Sequence, residues 1–199
     1  MSVTATSVAC RTQISTLRVR ESYIRERFGV SEYQRWLSQA GEPLRSALLA
    51  PDPADGWVPL DRLIELCELA EREFGTGGDQ LILAMGRYSA HHTGGVWRSM
   101  FERGVGVHQF MAIAAGIWHR HYDCGRVVTG EANGDTAEVT ILGMPRPSRA
   151  HCLSVRGWLE GVFSFNPSSH VIIHEVSCRA SGDEACRMTL TWQPVTNTA

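Results

Sequence analysis

GRVVTGEANGDTAEVTILGM, residues 125–144, is where the chain changes its period. Upstream, apolar residues recur at helical spacing. Within this stretch they alternate with polar ones, as on a strand with one buried face. The two alternating runs meet at Asn133-Gly134-Asp135, a turn sequence suited to a tight hairpin. A second pair of such runs follows: SHVIIHEVSCRA (169–180) and ACRMTLTW (185–192), joined through SGDE (181–184). Between the two hairpins lies HCLSVRGWLEGVFSF (151–165), which reads as a short helix. The order is therefore helices first, then β-β-α-β-β. That order predicts an α+β fold with N-terminal helices packed on one face of a C-terminal four-stranded antiparallel sheet.

Working toward the N-terminus, GVHQFMAIAAGIWHRHY (106–122) is apolar on most sides and is expected to be a deeply buried helix. Helices are also expected from about Val96 to Arg103 and from about Gln80 to His91. The clearest one is VPLDRLIELCELAEREFG (58–75), with Leu60, Leu63, Ile64, Leu66, Cys67 and Ala70 on one face. APDPADGW (50–57) reads as a loop. From Leu17 to Leu49 the pattern is again helical. Gly29 is placed to end one helix, and Ser31 to cap the next, which carries Tyr33, Trp36 and Leu37. Residues 1–14 are rich in Ser and Thr and lack apolar periodicity. They read as a loose tail or short extension before a single domain at 15–199.

The 199 residues carry 43% hydrophobic side chains, enough for one ordinary core. Nineteen basic against twenty-one acidic residues give a net charge of -2, so the chain has no general attraction to nucleic acid. Its densest basic stretch, RVRESYIRER (18–27), is interrupted by acids and reads as a solvated helical face. No apolar run approaches the roughly 18 residues of a membrane span, and the N-terminus has no signal-peptide pattern. A cytoplasmic location is expected. There, six cysteines are more often buried thiols, metal ligands or reactive groups than disulfides.

Three of those cysteines raise a chemical question. Glu175, Cys178 and Cys186 form E-x2-C-x7-C across the last hairpin, and Cys152 stands at the start of the preceding helix. Residues 175 and 178 converge only where the strand is bulged or ending. Three thiolates and a carboxylate around one point repel unless a cation sits among them, and Zn²⁺ suits such a tetrahedral set. The alternatives are thiols buried as small apolar groups, or a cross-strand Cys178–Cys186 disulfide.

HCLSVRGWLEGVFSFNPSSHVIIHEVSCRASGDEACRMTLTW (151–192) resembles the 4-vinyl reductase domain family. The shared pattern is a Cys before a G-aromatic-x-x-G helix, then Glu-x-x-Cys, Gly-Asp, and a Cys on a strand ending in Trp. That family includes sensor domains of phenol-responsive activators and is related in fold to TRAPP trafficking subunits. The resemblance implies a structural zinc on Cys152, Glu175, Cys178 and Cys186, with no open coordination position. It also implies a buried pocket for a small apolar or aromatic ligand. His108 falls near the position of a phenol-binding histidine, and the walls would be Phe101, Phe110, Trp118, Tyr122, Trp158 and Phe163. The tryptophan that partners that histidine in the phenol sensors has no counterpart between Thr129 and Glu131.

The remaining histidines, His91 with His92 and His119 with His121, diverge around their helices and read as structural or surface groups. No G-x-S-x-G, P-loop or dinucleotide fingerprint is present. The leading expectation is a stand-alone sensory domain that binds a small molecule and signals through a protein partner or as a homodimer. A TRAPP-like scaffold and an accessory of tetrapyrrole chemistry are the alternatives.

Overall fold

The computed structural model describes residues 10–130 and 133–195. Its architecture is the expected α+β arrangement, with helices against a four-stranded antiparallel sheet. In chain order the elements begin with β1 (Arg11–Gln13), α1 (Ile14–Phe28), α2 (Val30–Gln39) and α3 (Glu42–Leu49). Then come β2 (Trp57–Pro59), α4 (Leu60–Phe74), α5 (Gln80–His92), α6 (Gly94–Glu102) and α7 (Val107–His121). The β-β-α-β-β half is β3 (Arg126–Thr129), β4 (Thr136–Leu142), α8 (Arg149–Phe163), β5 (Ser169–Ser177) and β6 (Cys186–Pro194).

The strands are ordered β3-β4-β6-β5, all neighbours antiparallel. Period-two alternation assigns the faces. Ala137, Val139 and Ile141 of β4 and Cys186, Met188, Leu190 and Trp192 of β6 point into the core. α8 crosses between the hairpins, and Ser148 caps it by accepting a hydrogen bond from the backbone N–H of His151.

The tightest contact in the molecule is α8 on α5. A Cβ on Gly86 would lie 2.5 Å from the Ser154 carbonyl oxygen, one on Gly157 would strike the Leu83 backbone, and one on Gly161 would lie 2.8 Å from Arg87. Here two helix backbones meet because three residues have no side chain to hold them apart.

Several local expectations need correction. Gly29 ends α1 and also precedes α2, so Ser31 is the second residue of that helix, not its cap. Trp57–Pro59 is a short strand paired with β1, so the fourth helix starts at Leu60, not Val58. Arg11–Gln13, inside the segment read as a tail, is the other strand of that pair; residues 1–9 of the tail lie outside the described residues. α7 is not deeply buried. Only Val107, Phe110, Met111 and Trp118 are, while Ala112, Ile113, Ala115 and Gly116 face outward. Two of those four outward residues are alanine, which packs equally well at a surface. Cys10 and Cys124 form a disulfide where free thiols were expected, tying the segment before β1 to the turn before β3. Among the described residues no helix is long and apolar enough to cross a membrane.

Candidate functional site

Six elements leave a cavity of about 80 Å³ between them. Thr16 and Arg20 come from α1 and Ser89 from α5; Phe110, Met111, Ala114, Ile117, Trp118 and His121 come from α7. Val127 and Val139 of the sheet, and Val155, Trp158 and Leu159 of α8, close the rest, with Tyr122 beside them. The lining is mostly aliphatic and aromatic, so water gains few partners inside and an apolar molecule loses little by entering.

Of the expected ligand-contacting residues, Phe110, Trp118, Tyr122 and Trp158 lie on this wall. Phe163 stands behind it, its ring 4.9 Å from that of Phe110, and Phe101 packs against both. His108 lies on the exposed side of α7, edge-on to Trp192 at 5.1 Å. The tryptophan near this histidine therefore comes from the last strand, not from the first hairpin. Trp118 is fixed by donating its indole N–H to the Cys124 carbonyl at 2.9 Å.

The polar end of the cavity is the part that sequence reasoning missed. Arg20 belongs to the stretch read as a solvated face, yet it is 2% exposed. The signal was its spacing: Thr16, Arg20 and Ile24 share one helical stripe, and Leu17 lies beside it. Its guanidinium donates to the Thr16 carbonyl at 2.9 Å, to Ser89 Oγ at 3.2 Å, and twice to Ser154 Oγ, at 3.1 and 2.7 Å. Among the described residues it makes no ion pair. Its sequence neighbour Glu21 accepts from Tyr33 Oη at 2.6 Å and from Arg18 at 3.0 Å instead.

The titratable groups around Arg20 are neutral near pH 7. Burial pushes Cys67 up to about 11 and Tyr122 up to about 12, and it lowers His121, with Arg20 adding to that fall. Burial takes His151 down to about 4, again with Arg20 contributing. The His151 ring lies edge-on to Trp118 and Tyr122, and its Nε2 has no hydrogen-bond partner.

In the first turn of α8, next to His151, the structure brings Cys152 together with Cys178 and Cys186. Their sulfurs lie within 4.8 Å of one another, with Cys152 and Cys186 3.3 Å apart. Burial, with Cys186 and Cys178 nearby, pushes the Cys152 thiol far above its ordinary range. The expected bulge is present between Glu175 and Ser177, but the Glu175 carboxylate turns to Arg149. The turn is held by Asp183, whose carboxylate accepts from the Cys178 backbone N–H at 2.7 Å, and by Gly182 at φ 100°.

No family model and no curated protein matches this sequence. Solved structures do match in fold. An H-NOX protein from S. oneidensis in its Fe(II)NO ligation state superposes with a TM-score of 0.68 at 12% identity, over 91% of this chain and 99% of that one. The Fe(II) unliganded H-NOX protein from K. algicida gives 0.68 at 10% identity, over 94% and 98%. A structure from work on heme distortion in the H-NOX family gives 0.67 at 12%, over 94% and 98%.

These likenesses correct two expectations. The similar folds are H-NOX proteins, not 4-vinyl reductase domains or TRAPP subunits. The structural zinc implied by that resemblance falls with it, because the matching proteins are described by heme and Fe(II). The motif that carried the resemblance has a more general explanation. Gly157 and Gly161 serve the α5 contact, and Gly182 with Asp183 shapes a turn.

A haem needs an axial donor and room for a porphyrin. His121 offers an imidazole on the cavity wall, but the space is about 80 Å³. That is near half of the roughly 150 Å³ that accommodates benzene in an engineered cavity. Phe110, Trp118 and Trp158 wall that space in, far short of the volume of a porphyrin. The residues as arranged do not fit the group.

Proposed function

We propose that this chain is a small-molecule-binding sensory domain. Its ligand is an apolar or aromatic molecule held between α7, α8 and the sheet, and it reports through a protein partner or a second copy of itself. The observation that carries this reading is the cavity itself, lined by Phe110, Met111, Trp118, Val155 and Trp158. The output half is supported by α7, which offers Phe110 and Trp118 to the cavity and Ile113, 44% exposed, to the outside. A ligand that displaces α7 alters the surface a partner would read.

Trp118 and Trp158 make the test direct. Titration of the full chain with small aromatic and aliphatic compounds is expected to change tryptophan fluorescence saturably, at one site per chain. Silence across the panel contradicts the reading. A Soret band developing at one haem per chain on addition of haemin contradicts it too, by replacing the ligand class.

A further inference from the structure

The geometry points to an organic anion as the occupant of the cavity: a small carboxylate whose apolar body lies among Phe110, Met111, Trp118 and Trp158 and whose charged end meets Arg20. This rests on the cavity being the ligand site, as proposed above, and names the ligand's charge.

Arg20 carries the inference. A guanidinium stays protonated at any physiological pH, so its burial cannot be relieved by losing the proton. Removing such a charge from water is costly unless an opposite charge compensates. The partners it has are two serine hydroxyls and one carbonyl, with the neutral Cys67 thiol also beside it; all are dipoles and leave the net charge intact. Among the described residues no aspartate or glutamate lines the cavity, and the nearby Cys67, His121 and Tyr122 are neutral.

Donors are also left over. A guanidinium has five N–H groups, and the four bonds to Thr16, Ser89 and Ser154 leave one on Nη2. Ser89 Oγ, on the cavity wall, accepts from Arg20 and so keeps its own proton to donate. One carboxylate placed there would accept from both and neutralise the charge, a charge-assisted contact in a dry setting. A neutral ligand of the same shape would leave Arg20 as costly as before.

The experiment compares matched pairs small enough for the cavity, on the full chain: propionate with 1-propanol, and butyrate with 1-butanol, titrated by tryptophan fluorescence and calorimetry at pH 7.5. Each acid is expected to bind at least ten-fold more tightly than its alcohol. In Arg20→Met the ratio is expected to fall to about one while the alcohols keep their affinity. A purely structural Arg20 would change the melting temperature but not this ratio. If Arg20→Met does not fold, Ser89→Ala is the second variant, expected to weaken the acids several-fold and leave the alcohols unchanged. Alcohols that bind wild type as well as acids overturn the anion inference and leave the cavity reading standing. An acid preference that survives in whichever variant folds overturns it as well, by placing the anion elsewhere. Failure of both pairs to bind removes the cavity reading and this inference together.

Discussion

α8 has two sides that follow opposite rules. Toward α5 it is closed, with glycines at 86, 157 and 161 letting backbones touch and leaving no room for a methyl group. Toward α7 and the sheet it is open, with about 80 Å³ of space and an uncompensated charge at one end. Protein interiors normally approach crystal density and pair their charges, so the first side is what stability alone produces. The second side departs from that rule twice in the same place. Such departures are costly unless something else fills them, and this is the ground on which the ligand is proposed to sit on the α7 side.

The largest expected effect is that of acid on the open side. His151 is neutral and buried there, with a folded value near 4 against an ordinary 6.5. The unfolded chain therefore takes up that proton first, and stability is lost as the pH falls from about 6.5 toward 4. At pH 4 the loss amounts to about 3 kcal/mol. Urea unfolding of wild type and His151→Leu at both pH values measures it, and the variant is expected to lack this part of the acid sensitivity. An equal loss in the two proteins would remove His151 from the account.

On the closed side, Gly157→Ala is expected to lower stability by about 2 kcal/mol, because the new methyl presses on the Leu83 backbone and outweighs the gain in helix propensity. Ala114→Leu adds atoms where there is space and is expected to raise stability by about 1 kcal/mol. The contrast breaks if both substitutions destabilise alike in thermal melts. Gly116→Ala gives the smallest effect. It lies on the outer face of α7 with nothing near its Cβ position, so a gain of about 0.5 kcal/mol from helix propensity alone is expected. A loss there would mean that the outer face of α7 is already covered in solution.

How far the sequence disclosed these features depended on whether the signal was periodic. The change of period at Gly125 was enough to predict the β-β-α-β-β order of the C-terminal half and its antiparallel sheet, because alternation is imposed by one buried face, whereas the three-residue strands β1 and β2 are too short to show a period. The aromatic wall was legible in part, since Phe110, Trp118, Tyr122 and Trp158 are large apolar residues with few other places to go. Arg20 was not, because a basic residue among Arg18, Arg25 and Arg27 looks like surface until its stripe is compared with that of Ile24. The approach of Cys178 to Cys186 followed from the hairpin, Cys152 entered only as a further candidate ligand from the preceding helix, and the ion pair between Glu175 and Arg149 joins residues 26 apart and left no local mark. The family resemblance misled for a physical reason: its glycines and its Gly-Asp turn are requirements of close helix packing and chain reversal, which different families share.

The most direct test of the central claim is calorimetric titration of propionate and 1-propanol into wild type and Ala114→Leu. The account predicts that at least one of them saturates a single site per wild-type chain, and that this binding is lost when leucine occupies the cavity. Equal binding to both proteins, or no binding to a folded wild type, would contradict it.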